Sequence, residues 1–327
     1  MRKKQRMIFA AAAALTIAGL ASTSAQADPT GAPTYRDLVG VGSDTTQTVM
    51  NGLADAITVN GVKVLGSYDA RGTAQITTKD PATKPNCTIN RPENSGGGLT
   101  ALKNDVAANA GCVQFSRSSS NAAAANPDVK YIPFAVDALT YAIRSDSTVP
   151  KKLTTAQLTS IYTCANTTFK PLAPQFGSGT RAFFVKSVLP AGTVDSATLF
   201  GAGGTYPCVN DKDAAGEGIQ EHVGTYLTDP KQLLPYSIAV YNSQVYGNAP
   251  AAQGKAILGT VDNIQPTNLN TSSVFKRDVY NVVPVAKLGT EPYNTIFNGS
   301  GSAICQRSDV ITRYGFGVAP NCGQPVQ

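Results

Sequence analysis

Four short stretches of this chain share one grammar. "GVGSDTT" (40–46), "NSGGGLT" (94–100), "FSRSSS" (115–120) and "FGSGTR" (176–181) are each a turn of glycine and small hydroxyls. Three of them open a run with helical spacing. After the first, Val49, Leu53 and Ile57 recur on one face, which predicts a helix over 46–57 with Gly42, Ser43 and Asp44 as its turn and cap. Leu38, Val39 and Val41 before it read as a short strand. Residues 62–78 read as extended. "VKYIPFAVDALTYAI" (129–143) is apolar and β-leaning, long enough to cross between domains. "KLTTAQLTSIYTC" (152–164) is a helix capped by Thr154 or Thr155, burying Leu158, Ile161 and Tyr162. "GEGIQEHVGTYL" (216–227) reads as another helix with His222 on its surface. "LLPYSIAVYNSQVYG" (233–247) returns to β character, and "KRDVYNVVPVAKL" (276–288) is a late strand. Strands alternating with capped helices specify a layered α/β fold. No period of 20–50 residues marks a repeat protein.

The N-terminus should not be counted in that fold. Arg2, Lys3, Lys4 and Arg6 precede an apolar run from Met7 to Leu20, and Ala25 and Ala27 stand in the A-x-A spacing. This predicts a secretory signal peptide over 1–27, cut after Ala27. The run is too short to span a membrane. No cysteine stands at the cleavage point, so the mature chain is expected to be secreted or periplasmic and not lipid-anchored. Without those four cations the excess of Lys and Arg over Asp and Glu falls from six to two. With no cationic stripe, a nucleic-acid partner is not expected. The remaining length suits two domains.

Six cysteines, Cys87, Cys112, Cys164, Cys208, Cys305 and Cys322, remain in an exported chain, and an even count there predicts disulfides. Six allow fifteen pairings; sequential pairing is favoured because each bond then closes one local loop. No C-x-x-C occurs and the one histidine is remote from every cysteine, so neither zinc nor any other metal or cofactor is expected.

Helix N-termini carry unpaired amides and the positive end of the helix dipole. Glycine lets a ligand approach them, and Ser or Thr adds a donor without bulk. Several such turns meeting at one point would hold an oxyanion, with Arg117 or Arg181 as a forked cationic contact. Read singly, each turn is an ordinary cap, Asp44 is an N-cap, and Arg117 and Arg181 are solvated surface charges. Asp137, inside an apolar run, either satisfies buried donors or marks a cleft.

The order of these motifs resembles the phosphate-binding periplasmic protein family, the PstS-like substrate-binding components of ABC importers. "GSDTT", "NSGGGLTAL", "VQFSRSSS", "IPFAVDALTYAI", "LTTAQLTSIYT", "GSGTRAFF", "LLPYSIAVY" and "RDVYNVV" carry the resemblance over most of the chain. It implies a two-lobe periplasmic-binding-protein-like fold (type II). Two crossover segments, the second at "LLPYSIAVY", would join lobe 1 (28–134 plus 241–327) to lobe 2 (135–240), with a cleft between them. It places Thr45 and Thr46, Ser95, Ser118 and Ser119, and Ser178, Gly179 and Thr180 around the ligand. Two departures follow. Ser119 stands where the family offers an Asp that accepts the ligand's proton, and Pro174 stands where many members have an Arg. Arg181 or Arg117 would then replace the charge, and discrimination between phosphate and a fully ionised oxyanion would weaken.

The expected function is capture of phosphate or a related oxyanion by a monomer, for an ABC permease. Two other classes compete. A secreted phosphate-ester hydrolase lacks its chemistry here: one His222, no multi-histidine site, no G-x-S-x-G elbow, and Glu221 and His222 that would not face each other on a helix. A scaffold or adhesive protein that kept the fold and lost its ligand is the other, made live by the missing Asp.

Overall fold

The computed structural model describes residues 28–266 and 275–326; the expected signal peptide lies outside the described residues. Nine strands join one sheet. In chain order they are β1 (Leu38–Gly42), β2 (Leu65–Ser67), β3 (Phe115–Ser118), β4 (Val129–Arg144), β5 (Lys170–Pro171), β6 (Gln232–Ser237), β7 (Ala256–Leu258), β8 (Phe275–Pro284) and β9 (Gly317–Val318). The helices that matter for the site are α1 (Gln47–Ala56), α2 (Ser95–Ala108), α3 (Thr155–Tyr162), α4 (Gly179–Val188) and α5 (Ile238–Val245).

The sheet runs β5-β6-β4-β8-β3-β1-β2, with β7 and β9 also paired to β4. β1 is parallel to β2 and β3, while β4 and β8 are antiparallel to each other. These two long strands are the spine. β4 is buried along nearly its whole length, which is why it reads as one apolar run rather than an alternating one. Its first half, Ile132 to Val136, packs with Val49, Leu53, Phe115 and Ile296. Its second half, Leu139, Tyr141 and Ile143, packs with Leu158, Phe184 and Phe200. β8 makes the same passage in reverse: Phe275 lies in the second core, and Val279 and Val283 in the first. Two separate cores threaded by shared strands are two lobes of one α/β fold.

The return crossing is therefore β8. At the place expected for it, β6 ends at Ser237 and α5 straddles the boundary, with Ala239 and Val240 in the first core and Tyr241 against the second lobe. Ala256 and Val261, expected in lobe 1, pack in the second lobe's cores.

Local signals account for the elements. Thr154 caps α3 in a reciprocal capping box with Gln157, leaving Leu158, Ile161 and Tyr162 buried as their spacing predicts. The helix expected over 216–227 does not form. Gly216, Gly218 and Gly224 interrupt it, His222 has a left-handed φ of 55°, and the stretch keeps a turn at 221–222 and a single 3-10 turn at Gly224–Tyr226. Each glycine adds about 1 kcal/mol against a helix. The disulfides join Cys87 to Cys112, Cys164 to Cys208 and Cys305 to Cys322, the sequential pairing.

Candidate functional site

Where β4 and β8 pass from one core to the other, Asp137 and Arg277 stand opposite each other in register. Both are buried. The Arg277 Nε and Nη2 donate to Asp137 Oδ2 at 3.1 and 2.8 Å. Asp137 Oδ1 accepts the Ser237 hydroxyl at 2.6 Å. The oddly placed acid of the apolar run thus satisfies a buried cation and marks the boundary between lobes. An isolated charge there would cost several kcal/mol.

Arg277 then reaches outward from the pair. Nη1 donates to the Ser119 carbonyl at 3.0 Å, and Nη2 to Thr180 Oγ1 at 3.0 Å, with Thr45 Oγ1 at 3.5 Å. Thr45 comes from the turn before α1, in lobe 1. Thr180 comes from the first turn of α4, in lobe 2, whose N-cap is Ser178. Their hydroxyls lie 3.1 Å apart, so the two turns meet across the cleft.

What they meet around is a carboxylate. Thr45 and Thr180 each donate to Glu221 Oε2 at 2.7 Å, and His222 Nε2 is 3.3 Å from the same oxygen and 3.1 Å from Thr45 Oγ1. Glu221 and His222 are buried, which overturns the surface-helix expectation for His222. The irregular backbone and the left-handed φ at His222 turn the neighbouring side chains toward each other, as a helix would not. Tyr236 Oη and Gln244 Nε2 both donate to the His222 carbonyl. The Ser237 amide donates to its Nδ1 at 3.2 Å. That bond assigns Nδ1 as an acceptor, so the ring proton sits on Nε2 and is donated toward Thr45 and Glu221. Burial pushes the Glu221 carboxyl up, but its interactions with His222, followed by hydrogen bonds from Ser178 and Thr180, more than offset it and hold it at about 2. Its Oε1 is buried without a hydrogen-bond partner.

The remaining expected residues divide. Ser95 and Ser119 lie beside the seat: the Ser119 amide donates to Ser95 Oγ at 3.2 Å. A Cβ on Gly179 would fall 2.4 Å from Ser119 Oγ and 2.5 Å from Ser95 Oγ, so any larger residue would have to displace these serine hydroxyls. The lobes are also bonded through the Gly96 amide and the Gly177 carbonyl at 3.0 Å. Gly42 and Gly98 touch backbone to backbone: a Cβ on Gly98 would lie 2.5 Å from Gly42 Cα, and this brings the first two turns together. Thr46 is buried with its hydroxyl unpartnered, and Ser118 bonds locally to the Ser120 carbonyl. The cap of α2 is Asn94, whose side chain accepts the Gly97 amide. Asp44 caps nothing with its side chain and pairs with Arg71 at 3.2 Å.

Neither expected arginine faces the seat, and neither is solvated. Arg117 is fully buried and donates to the carbonyls of Gly40, Gly42 and Ser43 and to Ser67 Oγ. It fastens the first turn to β2. Arg181 donates to Asp195 at 2.8 Å, Asp211 at 2.6 Å, and the carbonyls of Pro174 and Ser196. Successive helical residues point about 100° apart, so with Thr180 in the cleft Arg181 is turned into lobe 2. The cation at the seat, Arg277, is one the motifs did not indicate. Its alternation with buried Phe275 and Val279 on β8 was the available signal, as was Asp137's need for a partner.

Residues 27–297 match the family model PBP_like_2, described as a PBP superfamily domain. No curated protein matches the chain. Among solved structures, a putative phosphate ABC transporter substrate-binding protein with bound phosphate from Clostridium perfringens superposes with a TM-score of 0.52 at 16% identity, over 86% of this chain and 99% of that one. A phosphate-binding protein from Stenotrophomonas maltophilia gives 0.50 at 11% identity, over 87% and 91%. At such identities the likeness is one of fold.

Proposed function

The chain belongs to the PBP superfamily, and from that premise we propose that it is an extracytoplasmic binding protein whose lobes close on an oxyanion of the phosphate class, for import through an ABC permease. One observation carries the reading. Donors from both lobes, Thr45 and Thr180, converge on a single anionic oxygen, and Arg277 and His222 polarise them from behind. A seat that takes a carboxylate oxygen in this way suits an oxygen of phosphate. Arg277 is already neutralised by Asp137, so the seat works chiefly through dipoles and hydroxyls, as dehydrated oxyanions require. Ser95, Ser119, Ser178 and the amides around Gly179 supply further donors within the same closure. The three disulfides fit an oxidising compartment, and among the described residues no helix is long and apolar enough to cross a membrane.

The geometry speaks against a hydrolase. The group that receives the Thr45 hydroxyl is Glu221, whose carboxyl is held well below the usual carboxylate range and is a poor base, and the Ser237 amide on Nδ1 leaves His222 Nε2 already protonated. A ligand-less scaffold is favoured by one observation only, that Glu221 holds the seat. Isothermal titration with inorganic phosphate, sulfate and arsenate, on the native sequence and on Glu221→Ala, tests the reading. Saturable 1:1 binding of phosphate by either supports it. No binding of any of the three by either protein rejects it.

A further inference from the structure

The lobes are closed around a group of the protein's own. Glu221 Oε2 receives one hydroxyl from each lobe at 2.7 Å, so the carboxylate is a bond between lobes as well as a filled seat. Its position is fixed by the backbone behind it. Tyr236, Gln244 and the Ser237 amide hold His222, and His222 brings Glu221 forward. Yet the carboxylate is only half satisfied, because Oε1 is buried with no partner. Buried carboxylates with a structural role are ordinarily bonded at both oxygens. Asp137, a few residues away in space, is bonded at both. In the turn that carries Thr45, the buried hydroxyls of Ser43 and Thr46 also lack partners. A group that meets the donors with one oxygen and leaves the other without a partner is a poor permanent occupant of the seat. A tetrahedral anion presents four oxygens where Glu221 presents one.

We propose that Glu221 is an internal ligand: its carboxylate holds the oxyanion seat, keeps the lobes closed when no external anion is present, and is displaced when one binds. This rests on the reading of the cleft as an oxyanion site. A carboxylate and a phosphate cannot share two hydroxyl donors, and like charges in one desolvated cleft repel strongly. The two therefore compete. The external anion binds only the fraction of molecules whose seat is vacated, and its apparent affinity is reduced by that fraction. Glu221 thus sets a threshold of anion concentration below which the receptor stays shut and unloaded.

The test uses the native sequence without its leader, Glu221→Ala and Glu221→Gln, with two readouts. Small-angle scattering in anion-free buffer reads lobe closure, and titration with inorganic phosphate reads affinity. The expected result is a closed native protein and an open Glu221→Ala protein that closes again on adding phosphate or formate. Phosphate should bind Glu221→Ala at least tenfold more tightly than the native protein. Glu221→Gln keeps the shape of the side chain and should also bind more tightly, so it carries the test if the alanine variant does not fold. Weaker phosphate binding by both variants overturns the proposal and makes Glu221 an acceptor for the ligand's proton. Equal affinity, or an alanine variant that stays closed without anion, overturns it too; in each of those cases measurable phosphate binding leaves the oxyanion reading standing. If the alanine variant opens and formate closes it while phosphate, sulfate and arsenate do not bind, the internal ligand stands and the phosphate reading falls.

Discussion

Two buried carboxylates are linked through Arg277 and the threonines Thr45 and Thr180, and the chain treats them differently. Asp137 is welded: a guanidinium takes one oxygen and a serine hydroxyl the other, and both partners come from strands that build the lobes. Glu221 is lodged: two threonine hydroxyls and an imidazole N–H meet one oxygen, and the other has nothing. The first arrangement makes a pivot, since removing either partner strands a charge. The second makes an exchangeable occupant, since the threonines that hold it can serve another anion. Charge and burial are alike in the two; the number and kind of partners separates structure from function.

The contrast is most exposed to refutation at the pivot. Asp137→Ala leaves Arg277 buried and unpaired, and should lower unfolding free energy by about 3–5 kcal/mol in urea denaturation. Replacing the pair together, Asp137→Leu with Arg277→Met, should recover most of that loss. Arg181→Ala extends the test into lobe 2. It strands Asp195 and Asp211 and should cost about 3 kcal/mol in the same measurement, while phosphate affinity by titration changes less than about twofold, the scale of a contact outside the site. A tenfold loss of affinity would return Arg181 to the seat.

Acid acts on the lodged group. Glu221 is held at about 2 against an ordinary value of 4.5. Its ionised form therefore adds stability above pH 4.5 that disappears as pH falls toward 2. Each tenfold change in proton affinity is worth about 1.4 kcal/mol. The native protein should accordingly lose about 3 kcal/mol more than Glu221→Gln over that range, read from denaturation midpoints at successive pH values. Ser178→Ala is expected to have the smallest effect. It removes the acceptor for the Arg181 amide at the start of α4 and a hydroxyl that acts on the Glu221 carboxylate, and loss of the cap should cost about 1 kcal/mol in thermal unfolding.

The sequence carried much of this, unevenly. Local chemistry was legible: the capping box of α3, the hydroxyl turns before α1 and α4, and the apolar run that became β4 all follow from neighbours within a few residues. Thr45, Thr180, Ser95 and Ser119 stood out for that reason, and they do come together. Arg181 stood out too, because it adjoins Thr180, but adjacency on a helix separates directions. Arg277 lies 232 positions from Thr45 along the chain, and only the register of β8 on β4 brings it there. Glu221 and His222 depended on a left-handed residue that is not glycine, in a segment whose composition allowed a helix. No local signal marks such a conformation, which tertiary bonds at the His222 carbonyl and ring impose.

The three disulfides all lie inside one lobe or the other: Cys87–Cys112 and Cys305–Cys322 in the first, Cys164–Cys208 in the second. None bridges the cleft. Oxidation therefore hardens each half against unfolding while leaving their relative motion to hydrogen bonds and the flexing of two strands. A protein built this way keeps each half bolted to itself, and nothing covalent besides the chain ties one half to the other.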